Sequence, residues 1–193
     1  ALFDLAQSRP EPIPFYGELG SVNPVFVSAA AAAARAGEIV DGFVGSFTMG
    51  QGQFCTKPGL LVVPADSELP ALLAAATLPD GHKLLNPGIA GGHHDTREAL
   101  RGRDDVDVLA GGGGEVDPPS PTLLSTGVAA LLEHFEEIFV ECFGPTALVV
   151  TYDDEAQLLD VARALDGQLT ATLVAEDDDA IVPALATALT RKA

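Results

Sequence analysis

The sequence has very few lysines, and this shortage limits what the protein can bind. Only three lysines (Lys57, Lys83 and Lys192) accompany 28 aspartates and glutamates in 193 residues, and the net charge is −18. Binding to nucleic acid requires a basic surface that neutralises phosphates. We therefore expect no nucleic-acid partner and interpret the acidity as a solvated surface.

Long apolar runs and cysteines are also scarce. No stretch of about 18 apolar residues occurs, and even the alanine-rich segment 28–36 is interrupted by Arg35. The first residues show no basic flank followed by an apolar region. With only Cys55 and Cys142 and no secretory signal, we expect free thiols rather than a disulfide. These absences favour a soluble, cytoplasmic protein without a membrane partner.

The apolar residues that are present alternate between strand-length and helix-length patterns along the chain. Strands are predicted at 23–27, 59–65, 106–112, 121–126, 146–152 and 168–175. Helices are predicted at 28–49, 66–78, 94–102, 153–167 and 176–192, and residues 1–10 also have a helical pattern. The continuous apolar run 59–65 is typical of a strand covered on both faces.

The segment 146–175 predicts how the strands are arranged. A strand (146–152), a helix with Leu158, Val161, Ala162 and Leu165 on one face, and another strand (168–175) form a βαβ crossover. Such crossovers connect parallel strands and place helices on the sheet. The sequence therefore predicts a three-layer α/β domain with a largely parallel sheet. Ser28, Asp66 and Asp153 are the candidate N-caps of their helices.

Three polar residues stand at positions where a packed core does not require them. Cys55 lies in "GQGQFCTKPG", Glu18 lies in "YGELGS", and Glu141 lies in "ECFGP". A cysteine on a glycine- and proline-rich loop is accessible to ligands, and a nearby carboxylate can act as a base. Taken one at a time, the same residues also fit an inert thiol and surface carboxylates.

The conjunction of these motifs resembles the aldehyde dehydrogenase superfamily. The matching segments are "ELGSVNPVFV", "GQFCTKPGLLVVP" and "ECFGPTALVVTYDDEAQLLDVARALDGQLTATL", in this order, from Glu18 to about Glu176. The wording of "GSVNPVFV" and "GQFCTKPG" is most similar to the branch that acts on 2-oxoglutarate semialdehyde (2,5-dioxopentanoate).

The resemblance implies a role for each candidate residue. It makes Cys55 the catalytic thiol, Glu18 the general base, and Glu141 and Phe143 the residues that contact the nicotinamide end of NADP or NAD. The thiolate attacks an aldehyde, hydride leaves to the cofactor, and the carboxylate activates water to hydrolyse the thioester. The resemblance also implies a homo-oligomer for the full-length enzyme.

The resemblance further predicts how the chain is divided. Residues 1–21 are expected to be the end of a cofactor domain and a linker that carries Glu18, and residues 22–193 a truncated catalytic domain. No strand-turn-helix fingerprint for a dinucleotide occurs in the chain. We therefore expect most of the cofactor site to lie outside it, and we expect the chain alone to be inactive as a dehydrogenase.

Two other functions remain open from the residues alone. A cysteine-dependent hydrolase would need a histidine partner for Cys55, and the histidines show no local signature for one. A catalytically silent interaction module is the other alternative. We interpret the pair His93–His94 as a surface feature rather than a metal site, Cys142 as a small buried hydrophobe, and the glycines 111–114 as a turn.

Overall fold

Six strands form one sheet in the computed structural model, which describes residues 1–17, 20–113 and 115–193. The order across the sheet is β3-β4-β5-β2-β1-β6, and every neighbouring pair is parallel except β3 and β4. The strands are β1 (Pro24–Val27), β2 (Leu60–Pro64), β3 (Asp107–Gly111), β4 (Thr122–Gly127), β5 (Thr146–Tyr152) and β6 (Thr172–Val174).

Helices occupy most of the connections between these strands. They are α1 (Leu2–Gln7), α2 (Ala29–Thr48), α3 (Leu69–Ala74), α4 (Pro87–Arg101), α5 (Val128–Glu133), α6 (Phe135–Ile138), α7 (Gln157–Ala164) and α8 (Val182–Leu189). Within the described residues, none of them is both long enough and apolar enough to cross a membrane.

Successive residues of the central strand β2 point to opposite faces of the sheet and join two separate cores. Leu61 and Val63 pack with residues of α2 and α3, whereas Leu60 and Val62 pack with residues of α5, α7 and α8. All five residues of β2 are buried, as the continuous apolar run predicted. The predicted three-layer α/β fold is therefore confirmed.

The long helix α2 begins and packs as its sequence predicts. The side chain of Ser28 accepts a hydrogen bond from the amide of Ala31 at 3.1 Å, which is the N-cap interaction. Further along, Phe43 and Phe47 lie one turn apart with ring centroids 5.6 Å from each other. Both rings are buried against the sheet, so they lie on the packed face of the helix.

The predicted βαβ unit is present, and its helix is shorter than expected. Strand β6 pairs with β1, so the connection through α7 passes over β2 and β1. The prediction of Asp153 as N-cap is wrong. The side chain of Gln157 instead accepts hydrogen bonds from the amides of Asp153 and Asp154, so these residues form a turn before the helix.

The starts of α3, α4 and α8 also differ from the predictions, and α8 begins at Val182 rather than at 176. Helix α4 begins at Pro87, seven residues before the predicted start at 94, because the side chain of Asn86 accepts a hydrogen bond from the amide of Ile89 at 3.0 Å. Helix α3 begins at Leu69, so Asp66 does not cap it, and Pro70 lies in its first turn.

The prediction that the glycines 111–114 form a turn is wrong for Gly111, which is the last residue of β3 and pairs with Thr122. Gly111 and Gly112 have φ values of 70° and 85°, which side-chain-bearing residues rarely adopt. Gly114 lies outside the described residues.

The parallel sheet brings distant segments together at one edge. The stretches 20–23, 53–59, 141–145 and 168–171 immediately precede β1, β2, β5 and β6, which run in the same direction. Their ends therefore meet at the amino-terminal edge of these strands. This edge carries both motifs that surround Cys55 and Glu141.

Candidate functional site

Cys55 lies on an exposed turn between helix α2 and strand β2. A short 3₁₀ segment, Met49–Gly52, contains three consecutive residues with positive φ: Gly50 (56°), Gln51 (60°) and Gly52 (65°). The chain then closes a turn in which the amide of Lys57 donates to the carbonyl of Phe54 at 3.0 Å. Cys55 is a free, exposed thiol, as the sequence predicted.

The side chain of Asn23, which is almost fully buried, holds the backbone of this turn in place through hydrogen bonds. Its side-chain nitrogen donates hydrogen bonds to the carbonyls of Cys55 and Lys57 at 2.8 and 2.9 Å. Its side-chain oxygen accepts from the hydroxyl of Ser21 at 2.7 Å and from the amide of Thr170 at 3.2 Å. The position of the thiol therefore depends on residues at both ends of the chain.

The side chain of Gln168 also holds the backbone at Asn23 in place. The side-chain oxygen of Gln168 accepts hydrogen bonds from the backbone amides of Val22 at 2.8 Å and Asn23 at 3.1 Å. Asn23 itself has a φ of 55°, an unusual value for a residue with a side chain. These contacts stabilise the strained backbone immediately before β1.

Gly52 and Gly144 bring the cysteine loop into direct backbone contact with the segment 141–145. A methyl group on Gly52 would stand 2.1 Å from the carbonyl oxygen of Gly144. A methyl group on Gly144 would stand 2.4 Å from the ring of His93, and the φ of Gly144 is 154°. Only glycine fits at these two positions, so the loop and the segment are packed without an intervening side chain.

Lys57 links the same two segments through its side chain. The ammonium donates hydrogen bonds to the carbonyls of Cys142 (2.8 Å), Gly144 (3.3 Å) and Thr146 (2.7 Å). The residue is only 5% exposed. Burial lowers the pKa of Lys57 to about 8, against the opposing influence of Cys142 and Glu141.

Glu141 and Phe143 are both half-buried at this edge of the sheet. The carboxylate of Glu141 lies beside Gly20, where a methyl group would stand 3.0 Å from Oε2. Glu141, Ser21 and Lys57 line a cavity of about 20 Å³, which is large enough for about one water molecule. Glu18, the predicted base, lies outside the described residues.

Cys142 is buried, as predicted, and lies in the loop before β5. Its sulfur lies 3.7 Å from the carbonyl oxygen of His93. Burial raises the pKa of the Cys142 thiol, and the nearby Lys57 opposes this effect. The two cysteines therefore occupy opposite environments.

The surface interpretation of His93 is wrong. His93 is 1% exposed, and its Nε2 lies 2.9 Å from the hydroxyl oxygen of Thr146. Helix α4 begins earlier than predicted, and its extra turns place His93 on the face that packs against Gly144. Burial, followed by the charge of Arg97, lowers the pKa of His93 to about 4.

The structure thus assembles some predicted residues and adds others that were not predicted. Cys55 and the Glu141–Phe143 motif lie at the same edge of the sheet, and the side chain of Lys57 connects their two segments. In the described ranges, no group of three or more His, Cys, Asp or Glu could hold a metal ion. The sequence interpretation missed Lys57, Asn23 and Gln168. For Lys57, the sequence offered one signal: the lysine lies in the motif "GQFCTKPG", two residues after Cys55.

Comparison with known proteins gives a family model that matches almost all of the chain. This is the model of the aldehyde dehydrogenase family, and it matches residues 6–188. The alpha-ketoglutaric semialdehyde dehydrogenase of Acinetobacter baylyi is 39% identical over 185 residues. The alpha-ketoglutaric semialdehyde dehydrogenase 2 of Azospirillum brasilense is 40% identical over 187 residues. Each match covers 93% of this chain but only 35% of the relative.

The fold is also found in solved structures. The crystal structure of an NAD-dependent benzaldehyde dehydrogenase from Corynebacterium glutamicum matches with a TM-score of 0.74 at 23% identity. This match covers 96% of the present chain and 40% of the other. At this identity the similarity establishes the fold alone.

Cys55 is expected to react with iodoacetamide much faster than Cys142 near neutral pH. The Cys55 thiol is exposed, whereas Cys142 is buried and its pKa is raised. Peptide mapping after brief labelling measures the two rates within one molecule, so that Cys142 is the internal control. Preferential labelling of Cys142 would contradict the assignment of Cys55 as nucleophile.

The burial of His93 is expected to make stability depend on pH below 6.5. Because the pKa of His93 falls from 6.5 to about 4 on folding, the unfolded chain binds the proton first as pH decreases, and the free energy of unfolding decreases. The contribution is at most about 3 kcal/mol between these pH values. Urea denaturation of the wild type and of His93→Gln across this range measures it.

In His93→Gln this contribution is absent, so the difference in unfolding free energy between wild type and variant should shrink as pH falls. His82→Gln, which changes an exposed histidine, is the matched control and should follow the wild type. Parallel curves for wild type and His93→Gln would show that His93 titrates normally in the folded protein.

Proposed function

Because the chain belongs to the aldehyde dehydrogenase family, we propose that it carries the nucleophile of an enzyme that oxidises an aldehyde to a carboxylic acid with NAD or NADP. The proposed substrate is 2-oxoglutarate semialdehyde. Support for the substrate comes from the names of the two relatives at 39% and 40% identity and from the motif around Cys55.

The observation that carries the proposal is the exposed thiol of Cys55 on a turn whose backbone is fixed. Two carbonyls of the turn are held by Asn23, and Gly52 contacts Gly144 directly. A nucleophile that is accessible yet held in place can attack without a large loss of entropy. The same packing holds the segment of Glu141 and Phe143 beside the thiol loop.

The proposed reaction forms and breaks bonds at the sulfur of Cys55. Its thiolate attacks the carbonyl carbon of the aldehyde and gives a tetrahedral thiohemiacetal. The carbon–hydrogen bond then breaks with loss of hydride, which leaves a thioester on Cys55. Glu18 removes a proton from water, the resulting hydroxide attacks the thioester carbon, and the carboxylic acid leaves as the thiolate is restored. NAD or NADP, when bound, supplies the acceptor for the hydride.

Glu141 and Phe143 are the proposed contacts for the nicotinamide end of the cofactor. A carboxylate can accept hydrogen bonds from the two hydroxyls of a ribose, and an aromatic ring can pack on a flat heterocycle. Gly20 supports this proposal, because it lacks the methyl group that would crowd Oε2 of Glu141.

We assign residues 22–193 to a catalytic domain and residues 1–21 to the end of a cofactor domain and a linker. Residues 8–17 are exposed and form neither helix nor strand, which is typical of a linker. Because the chain spans 35% of the length of its curated relatives, the remaining cofactor contacts are proposed to come from outside these 193 residues.

Replacing the nucleophile tests the function directly. In the full-length enzyme, from which the remaining cofactor contacts are proposed to come, Cys55→Ser is expected to lower kcat for 2-oxoglutarate semialdehyde oxidation by roughly a thousandfold or more. The absorbance of the reduced cofactor measures the rate with NADP and with NAD. Peptide mass analysis of the wild type during turnover should find the acyl group on Cys55. A wild-type protein that reduces neither cofactor would refute the proposed function.

Replacing Glu18 separates the two halves of the reaction. In the intact protein, Glu18→Gln is expected to retain the first burst of hydride transfer and to slow later turnovers, because acylation precedes the activation of water. Stopped-flow measurement of the burst, followed by steady-state measurement, tests this.

Glu11→Gln is the matched control for Glu18→Gln, because Glu11 is an exposed carboxylate nearby in sequence, and both phases should remain as in the wild type. An equal loss of burst and steady-state rate in Glu18→Gln would place Glu18 before acylation, as an activator of the thiol.

A further inference from the structure

The ammonium group of Lys57 is buried and fully hydrogen-bonded to backbone carbonyls. Lysine is rarely buried unless its charge is paired or otherwise compensated, and here it is only 5% exposed. An ammonium has three donors, and Lys57 directs them to the carbonyls of Cys142, Gly144 and Thr146. The ammonium therefore holds together the backbone of residues 142–146.

This stretch is the one that carries the proposed cofactor contacts. The carbonyls of Cys142 and Gly144 lie on either side of Phe143, and Cys142 follows Glu141. The backbone carbonyl of Lys57, in turn, is held by Asn23 together with that of Cys55. A continuous series of contacts thus connects the backbone of the thiol with the backbone around Phe143.

Packing alone does not explain a lysine at this position. Burial lowers the pKa of Lys57 to about 8, so retaining a charged ammonium near neutral pH costs free energy. A neutral side chain of similar length would fill the space without that cost. It would not, however, join three carbonyls to the cysteine loop.

On the basis of the proposed function, we infer that Lys57 is a positioning residue. Its ammonium sets the separation between the Cys55 thiol and the segment that carries Glu141 and Phe143, without contacting the substrate. Hydride transfer depends on this separation, whereas simple alkylation of an exposed thiol does not. Misplacing reacting groups by about 1 Å can cost on the order of a hundredfold in rate.

The experiment compares two reactions in the full-length enzyme: hydride transfer after attack by Cys55, and alkylation of Cys55. Lys57→Met removes the donors and the charge while keeping a long side chain. We expect its hydride burst with 2-oxoglutarate semialdehyde and NADP or NAD to slow by about tenfold or more. The rate of Cys55 alkylation by iodoacetamide, measured without cofactor, should change by less than about threefold.

Two further variants complete the test. Lys57→Arg restores a charged donor and is expected to recover at least part of the burst. Lys83→Met, which changes an exposed lysine, is the matched control and should retain the wild-type burst. Thermal unfolding of all three variants shows whether each is folded at the assay temperature.

Each outcome decides for or against the inference. A slowed burst with nearly unchanged alkylation in a folded Lys57→Met supports it. A wild-type burst in Lys57→Met, an equal loss of both reactions, or the failure of both Lys57 variants to fold overturns it and leaves Lys57 a structural residue. A wild type that reduces neither NADP nor NAD, in the first turnover or in steady state, instead refutes the proposed function, and the role of Lys57 falls with it.

Discussion

The backbone contact between Gly52 and Gly144 is the constraint on which the candidate site depends. Only the space left by two missing side chains allows the cysteine loop to lie directly against the segment before β5. His93 closes the other side of Gly144, and Lys57 bonds to its carbonyl. Because these residues are far apart in sequence, the contact forms only when β2 and β5 are paired in the sheet. The fold and the site are therefore built together.

The secondary structure was predictable where one local signal was strong. The apolar run of β2 and the strand β5 (Thr146–Tyr152) have the expected places, and the Ser28 cap starts α2 as expected. Errors arose at helix starts. Gln157 accepts hydrogen bonds from the amides of Asp153 and Asp154, which form a turn, so α7 begins later than expected. The Asn86 cap makes α4 begin earlier.

The error in α4 also explains the error at His93. A short helix beginning at residue 94 would have left the two histidines at a solvent-exposed end. With the helix beginning at Pro87, His93 lies in its middle and faces the buried side. Burial of this kind depends on what packs against the helix, and that information is absent from the helix sequence itself.

The site was predictable only as far as the motifs extend. Cys55, Glu18, Glu141 and Phe143 were found because of a family resemblance, and their roles remain predictions. Lys57, Asn23 and Gln168 were not found, because lysine, asparagine and glutamine ordinarily favour the surface. Their importance comes from hydrogen bonds between segments separated by 85 residues for Lys57 and Cys142 and by 145 for Asn23 and Gln168.

The position of Asn23 also bears on the chemical durability of the protein. Asparagine side chains commonly deamidate when the backbone nitrogen of the next residue attacks the amide, but the next residue here is Pro24, whose nitrogen carries no hydrogen. The amide nitrogen of Asn23 is itself engaged by the carbonyls of Cys55 and Lys57. Conversion to aspartate would place an oxygen against those two carbonyls and replace attraction with repulsion. The residue that anchors the thiol loop is thus shielded from a common form of protein ageing.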